Sequence, residues 1–374
     1  MEYPLIIATD VYGGRGGIAT YNKHLINALC QNKDIKSVTV VPRKIFYKIE
    51  KIPKKVIFKK IVSNSKLNYL FFFFKFFFKK NNYDIIFCCH IHLLPFAWLL
   101  SVKYNCPLVL NVYGEEAWKP TKYKLANFLC TKINFLITIR HYTAKKFVKW
   151  SRFRINKNNY FYLPNCVEDN KYRLKLKNTQ LVKKYNLKKK KIIISCGRLD
   201  VEDKYKGVDE IMEILEDLSK KIKDLIYIVI GDGDDKSRLE EKAKFLKVDH
   251  LIIFTGHLSE KKKIDYYRLG SLLAMPGSRK NFDRYPYRFV LLEGLASGMK
   301  VVCSKLRDQS EINDPNVKML IQVNPFDRSE MINKITKAIK KKKYIHPLLK
   351  NFYFSSFENK FRNIFNIIKH KKII

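Results

Sequence analysis

The sequence predicts an α/β protein built from two doubly wound parallel sheets, and three observations lead there. Short apolar runs alternate with longer stretches of helical spacing along most of the 374 residues. The alternation pauses once, in the polar and cationic segment 168–191, and then resumes. The chain is also long enough for two domains, each with its own core.

Taken in order, LIIATDV (5–11) reads as a strand, GIATYNKHLINALCQN (17–32) as a helix and SVTVVP (37–42) as a strand. A Phe-rich segment, YLFFFFKFFF (69–78), precedes the strand DIIFCCH (84–90) and the helical LLPFAWLLSVKY. PLVLNVYG (107–114), NFLITIR (134–140) and NYFYLPNCV (159–167) read as extended, with KLANFLCTKI and HYTAKKFVKWS helical between them. Beyond 168–191, a linker with a lead-in helix, a second series starts at KIIISCG. LIYIVIGDGDD (225–235), LIIFTG, SLLAMPGS (271–278) and KVVCSKL are its further strands. KSRLEEKAKFLKV, SEKKKIDYYRLG and VLLEGLASG are its helices. Parallel strands joined by helices are covered on both faces, which explains runs that are apolar throughout. The last segment, FYFSSFENKFRNIFNIIKH (352–370), sets Phe357, Phe361, Ile364, Phe365 and Ile368 at helical spacing.

The formal charge of +40 admits a nucleic-acid binder, attraction to an anionic membrane surface, or lysine-rich residue usage. No helix-turn-helix, zinc-finger or RNA-recognition signature is present and the cations run along the entire chain, so no specific nucleic acid is expected. Eight cysteines without CxxC pairs or zinc spacing suit reduced, buried thiols in a cytoplasmic protein. MEYPLIIATDVYGG lacks the basic start of a signal peptide. The Phe-rich block is far shorter than the roughly 20 residues that span a bilayer. Lysines crowd it, so it is either a buried element or part of a peripheral membrane surface.

Ligands of doubly wound sheets lie beyond the carboxyl ends of the strands, and IIISCGRLDVEDKYKG places Arg198 and Lys206 there, each beside a glycine. With CGRL (196–199), KYKG (204–207), VIGDGDD (229–235), FTGHLSE (254–260) and VLLEGLASGMKVV (290–302) in this order, the second half resembles the donor domain of the retaining GT-B glycosyltransferases of family 4. GGRGGIATY (13–21) resembles that family's N-terminal glycine loop. The resemblance implies a cleft between two Rossmann-like domains, 1–168 on the acceptor side and 169–350 on the donor side. It also implies that the segment 351–374 returns to the first domain as a helix.

The resemblance further implies a nucleotide-diphosphate sugar as donor and a glycan, lipid or small molecule as acceptor, with no cofactor and no metal. Arg198 and Lys206 would be the catalytic pair, stabilising the departing diphosphate where charge develops. Glu293 would accept from the ribose hydroxyls, and Gly16, Gly17, Val290 and Leu291 would complete the donor site. YGEEAW (113–118) resembles the acceptor loop and makes Tyr113 and Glu115 acceptor-pocket candidates. His90 and His92 end another strand, where packing is their simpler role.

One departure stands out. Where the family has a glutamate followed by Gly-Phe-Gly, this chain has Tyr285, Pro286, Tyr287 and Arg288. Asp283, Tyr285 and Tyr287 become the donor-sugar candidates, and sugar identity is open. A catalytically degenerate relative with a binding role is the alternative. GDGDD suits turn chemistry better than a cation site.

Overall fold

The computed structural model describes residues 2–60, 65–277, 289–305 and 318–370, with the backbone alone at 204–205. Chain contacts divide the protein into two units, Met1–Cys166 with Phe354–Ile374, and Val167–Tyr353.

The first unit has strands β1 (Leu5–Ala8), β2 (Val38–Pro42), β3 (Val56–Phe58), β4 (Ile86–Cys89), β5 (Leu108–Val112), β6 (Phe135–Thr138) and β7 (Tyr160–Tyr162). They form one sheet in the order β3-β2-β1-β4-β5-β6-β7, parallel throughout. Residues of β1, β4, β5 and β6 are buried on both faces, which is why their sequences show no alternation. Helices α2 (Lys66–Phe78), α3 (Leu94–Tyr104), α4 (Lys124–Leu129) and α5 (His141–Ser151) contribute to one apolar core with the sheet. Helix α1 (Gly17–Gln31) packs against the C-terminal helix Phe354–His370.

That C-terminal helix buries Phe357, Phe361, Ile364, Phe365 and Ile368, the five residues picked out by spacing. Phe357 meets Tyr21 of α1 edge-on at 5.6 Å, and Phe361 lies 5.9 Å from Phe87 of β4. The chain end thus completes the first unit.

The second unit has strands β8 (Lys191–Cys196), β9 (Leu225–Ile230), β10 (Ile252–Phe254), β11 (Leu272–Met275), β12 (Lys300–Ser304) and β13 (Leu320–Val323). Their order, β10-β9-β8-β11-β12-β13, repeats the pattern of the first sheet. In both sheets the order reverses beside the first strand, the place where doubly wound sheets generally bind their ligands.

Five elements were not foreseen: β3, β13 and the helices Val208–Glu213, Leu215–Lys221 and Arg328–Ile339. β3 is an edge strand of three residues, and lysines flank it on both sides. Such short, charged edges discourage aggregation and leave little apolar signal.

Candidate active site

Arg198 and Lys206 follow β8, at the point where the second sheet reverses its order. Asp203 lies between them in a 3-10 stretch, Val201–Lys206. One of its oxygens, Oδ2, stands 3.0 Å from Arg198 Nη2 and 2.7 Å from Lys206 Nζ. Asp200 approaches the guanidinium at 3.3 Å. The two cations therefore converge on a single carboxylate oxygen, Asp203 Oδ2. Their exposures differ: the Arg198 side chain is 71 % exposed, Lys206 15 % and Asp203 5 %. Lys206 also donates to the Arg198 carbonyl at 3.1 Å.

The two glycines have specific tasks. A Cβ at Gly197 would stand 2.7 Å from Lys206 Cδ, so glycine lets the lysine stem cross the strand end. Gly207 has φ +91°, and a Cβ there would meet the backbone nitrogens of Pro276 and Gly277 at 2.6 and 2.7 Å. Backbone cannot yield as a side chain can, so this loop needs glycine to lie against the end of β11.

Glu293 is buried within the helix Phe289–Ala296. Its two oxygens accept from Lys263 Nζ at 2.9 and 3.0 Å, and Oε2 accepts from the Tyr267 hydroxyl at 3.0 Å. Burial opposes the charge on Lys263, but the adjacent carboxylate outweighs it and holds the ammonium above its ordinary pKa. Burial and then Glu293 push the Tyr172 phenol far above its ordinary range. Lys263 and Tyr267 together take up most of the roughly four lone-pair sites of this carboxylate. Leu291 is buried and Val290 half-buried in the same helix.

In the first unit, Gly16 caps α1 with φ +96° and no side-chain hydrogen bond, and Gly17 is the first helical residue. Tyr113 is buried, and its hydroxyl donates to Asn22 of α1 at 2.6 Å. Burial foremost keeps this phenol protonated, far above its ordinary pKa. Glu115 is exposed in the following turn. Its neighbour Glu116 accepts from the backbone amides of Tyr113 and Gly114 at 2.5 and 3.0 Å. His90 accepts from the His92 amide at 3.2 Å and caps a 3-10 turn.

The GDGDD aspartates serve the loop: Asp234 accepts from the Val201 amide at 2.8 Å and Asp235 pairs with Arg238 at 2.6 Å. Among the described residues no group of three or more His, Cys, Asp or Glu is placed to hold a metal ion. No disulfide joins the cysteines, seven of which are buried. Asp283, Tyr285 and Tyr287 lie outside the described residues.

A profile of the family described as Glycosyl transferases group 1 matches residues 177–353, nearly the whole of the second unit. That unit is a group 1 glycosyl transferase domain. The group 1 domain and the first unit together also resemble whole solved structures. Anabaena HepE, crystallised with UDP, covers 98 % of this chain and 100 % of its own, at a TM-score of 0.72 and 16 % identity. Sucrose-phosphate synthase from Thermosynechococcus elongatus gives 0.72 at 15 % identity, with 98 % of each chain covered. The fold is GT-B, with two Rossmann-like domains. Among curated relatives, 2-deoxystreptamine N-acetyl-D-glucosaminyltransferase of Niallia circulans is 24 % identical over 241 residues, 60 % of this chain. The chain spans 59 % of that relative's length. An uncharacterized glycosyltransferase of Haemophilus influenzae is 22 % identical over 319 residues, 83 % of this chain and 81 % of its own.

Reading the sequence missed Asp203, Lys263, Tyr267 and Tyr172. Lys263 and Tyr267 are four apart, so one face of the helix Glu260–Leu269 carries both. Asp203 is three before Lys206, but acids are too common nearby for spacing alone to select it.

Proposed function

We propose that the protein transfers a glycosyl group from a nucleotide-diphosphate sugar to an acceptor, a glycan, lipid or small molecule, with retention of configuration. The observation that carries this reading is the convergence of Arg198 and Lys206 on one oxygen position at the switch point of the group 1 domain. Asp203 holds the two cations in place before the donor arrives. The exposed guanidinium then turns to the diphosphate, and the more enclosed lysine meets the oxygen on which charge grows as the sugar–phosphate bond breaks. Fixed cations aimed at developing charge need no reorganisation during the reaction.

In this proposal Glu293 receives the ribose hydroxyls, with its carboxylate oriented by Lys263 and Tyr267. Gly16 and Gly17 present the open amides of α1 to the donor, and Val290 and Leu291 line its site. Glu115 belongs to the acceptor side, while Tyr113 holds the loop to α1. Retention requires the acceptor oxygen to bond to the anomeric carbon on the face that the phosphate leaves. Asp283, Tyr285 and Tyr287 set sugar preference, and with Tyr285 where relatives have a carboxylate that preference is shifted or relaxed.

A panel of UDP-, GDP- and ADP-sugars, scored for thermal stabilisation and for hydrolysis, tests the reading. One nucleotide series is expected to raise the melting temperature, with hydrolysis of at least one sugar donor that EDTA leaves unchanged. No stabilisation by any member of the panel would leave the degenerate, binding-only relative as the better account. The anomeric configuration of the product, read by NMR, decides retention.

A further inference from the structure

The Phe-rich segment turns out to be both buried and exposed. Helix α2 sends Tyr69, Phe73 and Phe76 into the core. Leu70, Phe71, Phe74 and Phe78 remain in solvent on its other side. Phe96 of α3 packs on Tyr69 and Phe73 at 5.2 and 4.6 Å, and α3 packs on α4. The outer surfaces of these neighbours continue the pattern with exposed Val102 and Phe128. Across the three helices the exposed large apolar side chains are 44–76 % accessible. Single exposed apolar residues are ordinary, but a cluster of this kind on adjoining helices marks an interaction surface.

The charge around that surface is one-sided. The stretches 66–83, 94–104 and 119–134, which contain the three helices, hold nine lysines and no Asp or Glu. All nine lysines are exposed. Several lie against the rings they flank: Lys75 stands 4.3 Å from the centre of Phe71, and Lys132 5.7 Å from that of Phe128. Lys103 donates to the Phe77 carbonyl, which ties α3 to the end of α2. Aromatic and leucine side chains rimmed by lysine, without a single acid, match a partner that is apolar below an anionic surface. An anionic lipid bilayer has that chemistry. No helix of the described residues is long and apolar enough to cross a membrane, so the surface would lie on the bilayer.

We infer that the outer face of α2, with the adjoining faces of α3 and α4, docks the protein peripherally on anionic membranes. The phenylalanines enter the headgroup region and the lysines hold the lipid phosphates. This rests on the first unit alone and is independent of the catalytic proposal.

Co-sedimentation of the full chain with vesicles tests it, comparing phosphatidylcholine alone with phosphatidylcholine mixed with phosphatidylglycerol. The protein is expected to pellet with the mixed vesicles only, and high salt should release it. Phe71→Ser/Phe74→Ser/Phe78→Ser should lower binding at least tenfold while the melting temperature stays unchanged, since these rings are already in solvent. Lys75→Glu/Lys79→Glu/Lys80→Glu should lower it further, each lost lysine counting for about fivefold. Wild-type protein left in the supernatant with mixed vesicles would overturn the inference. So would undiminished binding by the phenylalanine variant, or equal binding to neutral vesicles. A dimer that the phenylalanine substitutions dissociate, with no vesicle binding, would assign the face to a second copy instead.

Discussion

The first unit carries 33 Lys and Arg against 8 Asp and Glu, the second 41 against 26, yet both build the same strand order. In the second unit cations are drawn into networks. Arg238 bridges Asp209 and Asp235, Lys242 bridges Asp209 and Glu213, and Arg328 joins Glu213. Arg198, Lys206 and Lys263 follow the same habit, each held by a buried carboxylate. In the first unit, α2, α3 and α4 turn lysines to solvent with no acid in their stretches. One topology thus serves two ends. Paired charge is fixed in place, while unmatched charge makes a field that acts on a whole surface.

The largest effect should come from the element that makes the first unit whole. Phe361→Ala empties a fully buried site between the C-terminal helix and the first sheet, and phenylalanine truncations of this kind cost about 3–5 kcal/mol. Hydrogen exchange should show protection falling across the first unit and holding in β8–β13. Equal loss in both would mean that the helix stabilises the molecule as one body.

Next come the paired cations of the second unit. Arg198→Ala and Lys206→Ala should each lower turnover by about 10²–10³, the range for one preorganised donor to developing charge. Nucleotide affinity should weaken as well, with the melting temperature little changed for the exposed arginine. Near-wild-type transfer by both variants would remove the clamp from the mechanism.

A smaller change is expected at Glu293. Glu293→Gln keeps the shape but leaves the Lys263 ammonium without its counter-charge, at a cost of about 1–3 kcal/mol for the disturbed buried group. Donor KM should rise roughly tenfold by the same measure, while kcat changes less. A fall in kcat with KM constant would instead place Glu293 at the reacting centre.

The last effect concerns pH in the first unit and appears only as acid is added. Burial, and then neighbouring His92, lowers the His90 pKa from 6.5 to about 4. As pH falls the unfolded chain takes up this proton first, so its contribution to stability is complete above about 6.5 and is lost towards about 4. The melting temperature of His90→Asn should therefore fall less than that of wild type across this window. Parallel curves would show that the histidine proton is not linked to folding.

How much of this was legible beforehand depended on how local each cause is. The strand–helix alternation, the buried face of the last helix and the placing of Arg198 and Lys206 at a strand end follow from spacing and glycine punctuation within a few residues. Apolar burial in a parallel sheet leaves an unbroken run that no distant contact can disguise. Asp203 as the shared partner of both cations could not be picked out, because several nearby acids have similar spacing and only the backbone path brings one Oδ2 to both. The Lys263–Glu293 pair joins residues 30 apart, so no local pattern records it. The split of α2 into a buried and an exposed aromatic face was hidden for a different reason. Phenylalanine stands on both sides, and composition cannot tell a ring that meets Phe96 from one that meets water. Packing against α3 decided it, since a helix can press only one side against its neighbour.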